Sequence, residues 1–352
     1  MKLPGNSSGS RRHNVSRQNF EGEIKDIVSN IEIHSAASFT FSGKAIPVRE
    51  ESPAGVPALA QSPALVSELQ NLLYQHCYCK RWRQESSAQQ AALAAGPDTD
   101  FLQMLSQANA STPRWDADWQ VRRIETNGQI WAEKAGVVRI LLPGEYVNFN
   151  GPGLPLKTGG AVTIFAPKES TTVQPGLYFA FGETVMASDH LDIVRFYWNI
   201  TSDGALELLR NISRDMNRFQ VPFQFKCSVY RQGYDRRDAA VLYVQRKFYS
   251  IVRELVSEWS QACRQFLRDD VPLFTLPVEK GIGLAEDPGT GESFGMNRCR
   301  HVADALWTAH ASGLPRQQYW SEVKRHFQKH GLDLSRPYLN AGSVDRYSLQ
   351  PA

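Results

Sequence analysis

Residues 192–244 decide the fold. Four segments with strong apolar patterns follow one another there: DIVRFYWNI (192–200), GALELLRNISRDM (204–216), PFQFKCSVY (222–230) and AAVLYV (239–244). The first, third and fourth are rich in β-branched and aromatic residues and predict strands, whereas the second has helical spacing. Further helices are predicted from Lys247 to Leu267, over MNRCRHVADALWTAH and over QQYWSEVKRHFQKH. This mixture predicts an α+β fold with a mixed or antiparallel central sheet and flanking helices.

The rest of the chain divides around this stretch. Strand-like segments begin at about Trp115, and Asn127-Gly128 between two of them predicts a hairpin. Residues 65–82 carry apolar residues at helical spacing and predict an amphipathic helix. The segment SPAGVPALAQSP, at 52–63, is typical of a linker. We therefore expect a flexible N-terminal segment and linker over 1–63, a helical subdomain over 64–114 and an α+β domain over 115–347.

The composition excludes several classes of protein. Of the 352 residues, 42% are apolar and 21% charged, which is typical of a globular chain. A net charge of +3 is too small to indicate a nucleic acid partner. No run approaches the roughly 18 apolar residues that a membrane span requires. We expect a cytoplasmic protein without nucleic acid or membrane partners.

The five cysteines are scattered and odd in number, which does not predict a disulfide framework. Cys77 and Cys79, next to His76, form a C-x-C that is open to two interpretations: half of a metal site, or half-buried helix cysteines. A metal site requires a second pair of ligands, and none follows at finger-like spacing. The sequence therefore predicts no metal and no cofactor.

A glycine-rich loop, GTGESFG at 289–295, precedes a predicted helix whose first turns hold Arg298 and Arg300. It lacks the Lys-Ser/Thr of a phosphate-binding P-loop and does not lie in a βαβ unit. A helix N-terminus still presents free N–H groups and partial positive charge, which suits an anion. A plain surface loop with solvated arginines is the alternative.

A second group of residues is basic and aromatic, and lies on the predicted strands and in the turn between them: Arg195, Tyr197, Lys226, Arg236, Arg237 and Tyr243. Arg195 and Tyr197 are two residues apart on one strand and therefore share a face. Lys226 lies among apolar strand residues, where an unpaired ammonium is costly, so it should face a cleft or an anion. The group predicts a multi-cation pocket suited to phosphate. An edge strand protected by charged residues is the alternative.

Several of these segments resemble the HopA-type family of bacterial type III effector-like proteins. The resemblance spans roughly residues 65–347, and its most specific part contains the glycine-rich loop. It is carried by LYFAFGE, VRFYWNI, VPFQFKCSVY, RRDAAVLYV, PLFTLPVEKGIGLAEDPGTGESFGMNRCR and PYLNAGSVDRY. Members of that family are plant-pathogen effectors, or stand-alone lyase components of lanthipeptide synthetases that act beside a separate Ser/Thr kinase. The resemblance thus allows for secretion as an effector.

That family is in turn similar to the phosphothreonine lyases, which eliminate phosphate from phosphorylated Thr or Ser without a metal. The resemblance implies a carbon–oxygen lyase that acts on a phosphorylated peptide. Arg195-Phe196-Tyr197 stands where those lyases carry Lys-x-His, which departs from their base and acid. We therefore expect Lys226 as base and Tyr197 as acid. The phosphate would be bound by Arg195, Arg236, Arg298 and Arg300. A non-catalytic protein that binds a phosphopeptide or a protein partner is the alternative.

Overall fold

The computed structural model describes residues 19–48, 64–82, 98–134, 136–148, 155–186 and 192–347. Its α-helices are α1 (Phe20–Ser29), α2 (Ala64–Leu73), α3 (Thr99–Ala108), α4 (Ser202–Arg218), α5 (Tyr249–Ala262), α6 (Phe294–Ala311) and α7 (Tyr319–Lys329). Its strands are β1 (Ile31–Ser35), β2 (Ser38–Phe41), β3 (Lys44–Pro47), β4 (Arg114–Ile124), β5 (Ile130–Lys134), β6 (Val137–Leu141), β7 (Tyr146–Val147), β8 (Ala161–Ala166), β9 (Glu169–Ser170), β10 (Leu177–Phe181), β11 (Ile193–Trp198), β12 (Gln224–Ser228), β13 (Ala240–Gln245), β14 (Leu276–Glu279) and β15 (Ile282–Glu286). The predicted α+β fold is confirmed.

A seven-stranded sheet in the order β14-β15-β11-β13-β12-β10-β9 forms the centre of the molecule, and its pairs are all antiparallel. Side chains alternate between its faces. Phe196 points to one face, where its ring stacks on Tyr249 of α5 at 6.3 Å. Arg195 and Tyr197 point to the other face, where Tyr197 meets Phe294 of α6 at 6.2 Å. The second face is only partly covered by helices and carries the candidate site.

A separate antiparallel sheet of five strands has the order β6-β5-β4-β8-β7 and its own apolar core around Trp119. The predicted hairpin is confirmed, since β4 and β5 pair across the turn that holds Asn127 and Gly128. Gly128 has a φ of +83°, which glycine adopts without steric cost. The α+β region therefore contains two large sheets and two cores, where the sequence predicted one central sheet.

The N-terminal prediction needs correction for residues 19–48. The structure places α1 and a three-stranded sheet, β1-β2-β3, in a stretch that we expected to be flexible. Helix α1 buries Phe20, Ile24, Ile27 and Val28, which recur at the spacing of one helical face. These residues join the main core. The sequence of residues 22–34 is compatible with a short helix or strand, but assigning the whole of 1–63 to a flexible segment was wrong for this part. The linker prediction for 52–63 lies outside the described residues.

The predicted helix over 65–82 ends earlier than expected. Helix α2 ends at Leu73, and one π-helical turn, Tyr74–Tyr78, follows it directly. This turn packs against the start of α6, where a Cβ on Gly295 would lie 2.5 Å from a ring carbon of Tyr78. Glycine therefore permits the close approach of the two elements. None of the described helices is long and apolar enough to cross a membrane.

Candidate functional site

A cavity of about 640 Å³ opens on the partly covered face of the seven-stranded sheet. Strands β10, β11, β12 and β13 contribute its floor, and the glycine-rich loop before α6 contributes one wall. Three of the predicted site residues line it together: Arg195, Lys226 and Arg236. The described lining also holds the carboxylates of Asp238 and Glu292. The structure therefore brings part of the predicted group together in one cavity, where anionic groups accompany the cations.

Lys226 and Arg195 flank a single aromatic ring in this cavity. The Lys226 Nζ lies 5.5 Å from the ring centroid of Tyr243, and the Arg195 Cζ lies 5.0 Å from the same centroid. The strand register explains this arrangement, because Arg195 pairs with Tyr243 across β11 and β13, while Lys226 pairs with Val241. Within the described part of the chain, no carboxylate lies at ion-pair distance from Lys226. Its ammonium is thus the cavity cation most available to a ligand.

Arg195 is buried and joined to the glycine-rich loop. Its Nε donates to Oδ2 of Asp287 at 2.8 Å, and its Nη2 donates to the same oxygen. The other carboxylate oxygen of Asp287 accepts the N–H of Gly289 at 2.8 Å. Burial alone would lower the pKa of Arg195, but the phenols of Tyr197 and Tyr243 and the Asp287 carboxylate raise it above its ordinary value. Arg195 therefore stays charged and ties the loop to the sheet.

Arg236 forms a two-pronged ion pair with Asp238. Its Nε donates to Oδ1 at 2.5 Å and its Nη2 to Oδ2 at 2.7 Å. The same Nη2 donates to the hydroxyl of Tyr74 at 2.9 Å and to the sulfur of Cys79. Burial raises the pKa of the Asp238 carboxyl, but the Arg236 guanidinium outweighs it and holds that pKa below its usual value. The pair stays ionised and links the π-helical turn to the cavity.

Tyr197 is not among the residues that line the cavity. Its side chain is buried between the rings of Tyr78 and Phe294, at centroid distances of 6.4 and 6.2 Å. The hydroxyls of Tyr197 and Tyr78 are both buried without a standard hydrogen-bond partner in the part of the chain that the structure describes. Burial raises the pKa of the Tyr197 phenol, and Arg195 lowers it by a smaller amount. This position argues against the predicted role of Tyr197 as the acid.

Arg298 points away from the cavity, contrary to its predicted role. Its Nε donates to the carbonyl of Pro337 and its Nη2 to that of Leu339, both at 2.8 Å. Burial lowers the pKa of Arg298 to about 10, so it remains charged at neutral pH. Arg298 therefore fixes the C-terminal segment to α6. Arg300 pairs with Glu292 of the cavity wall at 2.8 Å and is itself half-exposed.

The glycine-rich loop shapes the cavity wall through its backbone. Gly289 and Gly291 have φ values of +70° and +80°, a conformation that favours glycine. Ser293 ends the loop and caps α6, since its hydroxyl accepts the N–H of Met296 at 3.3 Å. Gly291, Ser293 and Met296 line the cavity, so the positive end of the α6 dipole faces it. The predicted anion-favouring helix start is therefore next to the cavity cations.

Two other predicted groups lie elsewhere. Arg237 is buried on the far side of its turn, 3.8 Å from Asp270. Cys77 and Cys79 are buried free thiols, and burial raises the pKa of Cys77 to about 12. Because the Cys79 sulfur accepts from Arg236, it takes part in the cavity network.

A comparison with family models identifies a relative of the region that contains the cavity. Residues 168–339 match the model of the HopA1 effector protein family. The match covers 172 of the 352 residues, just under half of the chain. The HopA1 region contains the whole seven-stranded sheet and the strands and loop that form the cavity. A search of curated proteins found no match.

Two solved effector structures from Pseudomonas syringae are similar to this chain. The protein of pathovar tomato strain DC3000 is 14% identical, with 80% of this chain and 93% of that chain covered and a TM-score of 0.45. The protein of pathovar syringae strain 61 is 11% identical, with 77% and 88% covered and a TM-score of 0.42.

The sequence reasoning missed the acidic part of the site. Asp238 follows Arg236 by two residues, Asp287 lies two residues before the glycine-rich loop, and Glu292 lies within it. An Arg-x-Asp in the turn before a strand and acidic residues in and before a glycine-rich loop are visible in the sequence. These neighbours would have predicted that Arg195 and Arg236 form ion pairs.

Proposed function

We propose that the cavity binds a phosphorylated Ser or Thr side chain of a peptide and eliminates its phosphate, which leaves a dehydroamino acid. The position of Lys226 carries this proposal. Its ammonium lines a cavity of about 640 Å³, which has room for a phosphorylated side chain and part of its peptide, beside Arg195 and without a carboxylate partner among the described residues. The negative charge of a bound phosphate would pair with the Lys226 ammonium, which has no carboxylate beside it.

In the proposed step, the Lys226 ammonium first releases a proton to solvent, and the resulting neutral amine removes the Cα proton of the phosphorylated residue. The electrons of that C–H bond form the Cα=Cβ double bond, and the Cβ–O bond breaks. Phosphate departs with the electron pair of the broken bond, and the proton remains on Lys226. No water is consumed, so the step is an elimination and not a hydrolysis.

The two cavity arginines stabilise the departing phosphate. Arg195 and Arg236 each use Nε and Nη2 for a carboxylate, which leaves Nη1 of each outside its ion pair. A guanidinium carries five N–H donors, so both can contact phosphate without breaking their ion pairs. Their carboxylates also hold them in place before substrate binds, which reduces the reorganisation needed in the transition state.

Tyr243 takes the place of Tyr197 as the proposed acid. Its ring lines the cavity between Lys226 and Arg195, whereas the Tyr197 hydroxyl is buried behind it. A phenol at this point can protonate the leaving oxygen, and Tyr243→Phe removes that proton while keeping the aromatic ring. We expect this variant to lower kcat by about 10²-fold or more with little change in KM.

A non-catalytic phosphopeptide-binding protein is the second candidate. The burial of Tyr197 and the carboxylate pairing of both arginines favour it, because a binding site needs charge but no acid. In either case a separate kinase reaction must supply the phosphorylated residue. Secretion of the chain as an effector is part of this proposal, in keeping with the effector family whose model matches residues 168–339.

The test is mass spectrometry of a phospho-Ser/Thr peptide panel incubated with the full chain. Elimination removes about 98 Da from the phosphopeptide, whereas hydrolysis removes about 80 Da. Lys226→Arg keeps the positive charge but removes the base, so it should bind phosphopeptide and release no product. Lys157→Ala, an exposed lysine outside the cavity, is the control and should match wild type.

Three results separate the candidates. Loss of about 98 Da that is absent in Lys226→Arg supports the lyase. Tight phosphate-dependent binding without any mass change, in wild type and Lys226→Arg alike, supports the binding protein. Equal turnover in wild type and Lys226→Arg contradicts the role of Lys226 as base.

A further inference from the structure

Three histidines meet where α6 packs against α7, outside the cavity. His301 lies on α6, His326 lies on α7, and His330 follows α7 directly. His326 and His330 are four residues apart, so they occupy one face of the last helical turn. The structure brings one nitrogen from each of the three rings within 4.8 Å of the others. Imidazole groups at this spacing are the ligands that divalent transition metals prefer.

The ring geometry is close to that of a three-histidine metal site. Nδ1 of His301 lies 3.3 Å from Nε2 of His326. With Zn–N bonds of about 2.0–2.1 Å, two nitrogens of a tetrahedral zinc site are about 3.4 Å apart. The third ring is near as well, since the centroids of His326 and His330 are 4.3 Å apart. His330 is exposed, so its ring can tilt about the Nδ1 contact with the His326 carbonyl and close the remaining gap.

Backbone contacts prepare His330 to act as a ligand. Its Nδ1 lies 2.8 Å from the backbone carbonyl of His326, which can only accept, so Nδ1 carries the proton and donates. The lone pair of Nε2 is then available to a metal, and such a hydrogen bond is the usual way to fix the tautomer of a ligand histidine. Between His301 and His326 one ring now donates to the other, and that proton must move to the far ring nitrogen when a metal binds.

We propose that His301, His326 and His330 bind one divalent transition-metal ion, of which Zn²⁺ is the representative. Three imidazole ligands leave a fourth position, and the exposure of His330 opens that position to water. The site lies away from the catalytic cavity, since His301 is about 10 Å along α6 from its first residue. The ion would connect α6 to α7 across their packed interface.

The charges around the cluster are mixed. Arg298 of α6 donates to carbonyls and keeps its charge, which opposes a cation at His301, whereas Arg300 is paired with Glu292. Arg325 of α7 is paired with Glu322 of the same helix. The remaining charged groups near the cluster are Lys329 of α7 and the carboxylate of Asp304, one turn beyond His301 on α6. The Asp304 carboxylate is close enough to interact electrostatically with His330, and it favours a cation there.

The test uses the full chain without a polyhistidine tag. Zn²⁺ is titrated against a chromogenic chelator, and Co²⁺ is used to record the visible d–d bands of a four- or five-coordinate site. Wild type should bind one ion per chain and should unfold at a higher temperature when Zn²⁺ is present. His330→Ala is the decisive variant, because this exposed residue can be removed without a change in the core. It should weaken Zn²⁺ binding by more than about 100-fold and abolish the thermal shift.

His301→Ala and His326→Ala should weaken Zn²⁺ binding to a similar degree, while His34→Ala, an exposed histidine on β1, should leave it unchanged. Binding that does not saturate at one ion overturns the proposal. So does a Zn²⁺ affinity that is the same in His330→Ala and wild type. In that case the three rings are a packing contact between α6 and α7 only.

Discussion

Replacement of Arg298 by methionine tests whether this residue stabilises the fold or binds substrate. The sequence predicted a phosphate ligand, whereas the structure buries the guanidinium under the C-terminal segment. Methionine keeps much of the unbranched length of the side chain and removes its donors. Two backbone carbonyls, those of Pro337 and Leu339, then lose partners that lie at 2.8 Å.

The magnitude follows from these two contacts. A buried acceptor that loses its partner costs about 1–3 kcal/mol, and bonds from charged donors are at the stronger end. Burial of the uncharged methionine offsets part of this cost, since the guanidinium no longer has to be desolvated. We therefore expect Arg298→Met to lower the free energy of unfolding by about 3 kcal/mol.

Arg300→Met is the matched control on the same helix. Arg300 is 41% exposed and forms one ion pair with Glu292, and such pairs contribute about 0–1 kcal/mol. Urea unfolding followed by tryptophan fluorescence measures both variants, and phosphopeptide binding is then compared where both are folded. Unchanged stability in Arg298→Met together with at least tenfold weaker phosphopeptide binding would refute the structural role of Arg298.

Three further perturbations test other parts of the account. Tyr197→Phe should keep phosphopeptide turnover within about twofold of wild type, because its hydroxyl is buried without a standard partner; a 10²-fold drop in kcat would restore Tyr197 as the acid. The pairing with Arg236 holds the pKa of Asp238 below its usual value against the effect of burial, so its ionic stabilisation is complete above the unfolded pKa of about 3.9 and is lost as the pH falls through the folded value. The difference in urea midpoint between wild type and Asp238→Asn should therefore shrink below about pH 4, and a constant difference would contradict this pairing. Gly295→Ala should lower the free energy of unfolding by about 1–3 kcal/mol, since its Cβ would overlap the ring of Tyr78; an unchanged urea midpoint would show that the ring moves freely.

The sequence predicted those parts of the fold that periodicity controls. DIVRFYWNI alternates two faces over six strand residues, and the structure places β11 at Ile193–Trp198 with Arg195 and Phe196 on opposite faces. The helices α4, α6 and α7 begin and end within a few residues of their predicted limits. Pattern alone did not predict how strands pair over long distances. The division into two large sheets with two cores is therefore visible only in the structure.

Sequence pattern predicted the strand cations of the site better than the helix cations. A cation in an apolar strand must face a cleft or a partner, and this argument predicted a cleft at Lys226, which lines the cavity with Arg195 and Arg236. The same argument could not separate cavity residues from buried structural ones on a helix. Arg298 and Arg300 are two residues apart, yet packing of the C-terminal segment on α6 buries only the first. The histidine cluster had a visible sequence signal as well, namely the H-x-x-x-H of His326 and His330.

One measurement tests the removal of the Cα proton by Lys226 most directly. A phosphoserine peptide with deuterium at Cα is incubated with wild type, and the product is weighed by mass spectrometry. Elimination predicts a loss of about 99 Da from the labelled peptide and about 98 Da from the unlabelled one, a slower reaction with the label, and no product in Lys226→Arg. A product that retains its deuterium after a loss of about 80 Da would show hydrolysis and would contradict the account.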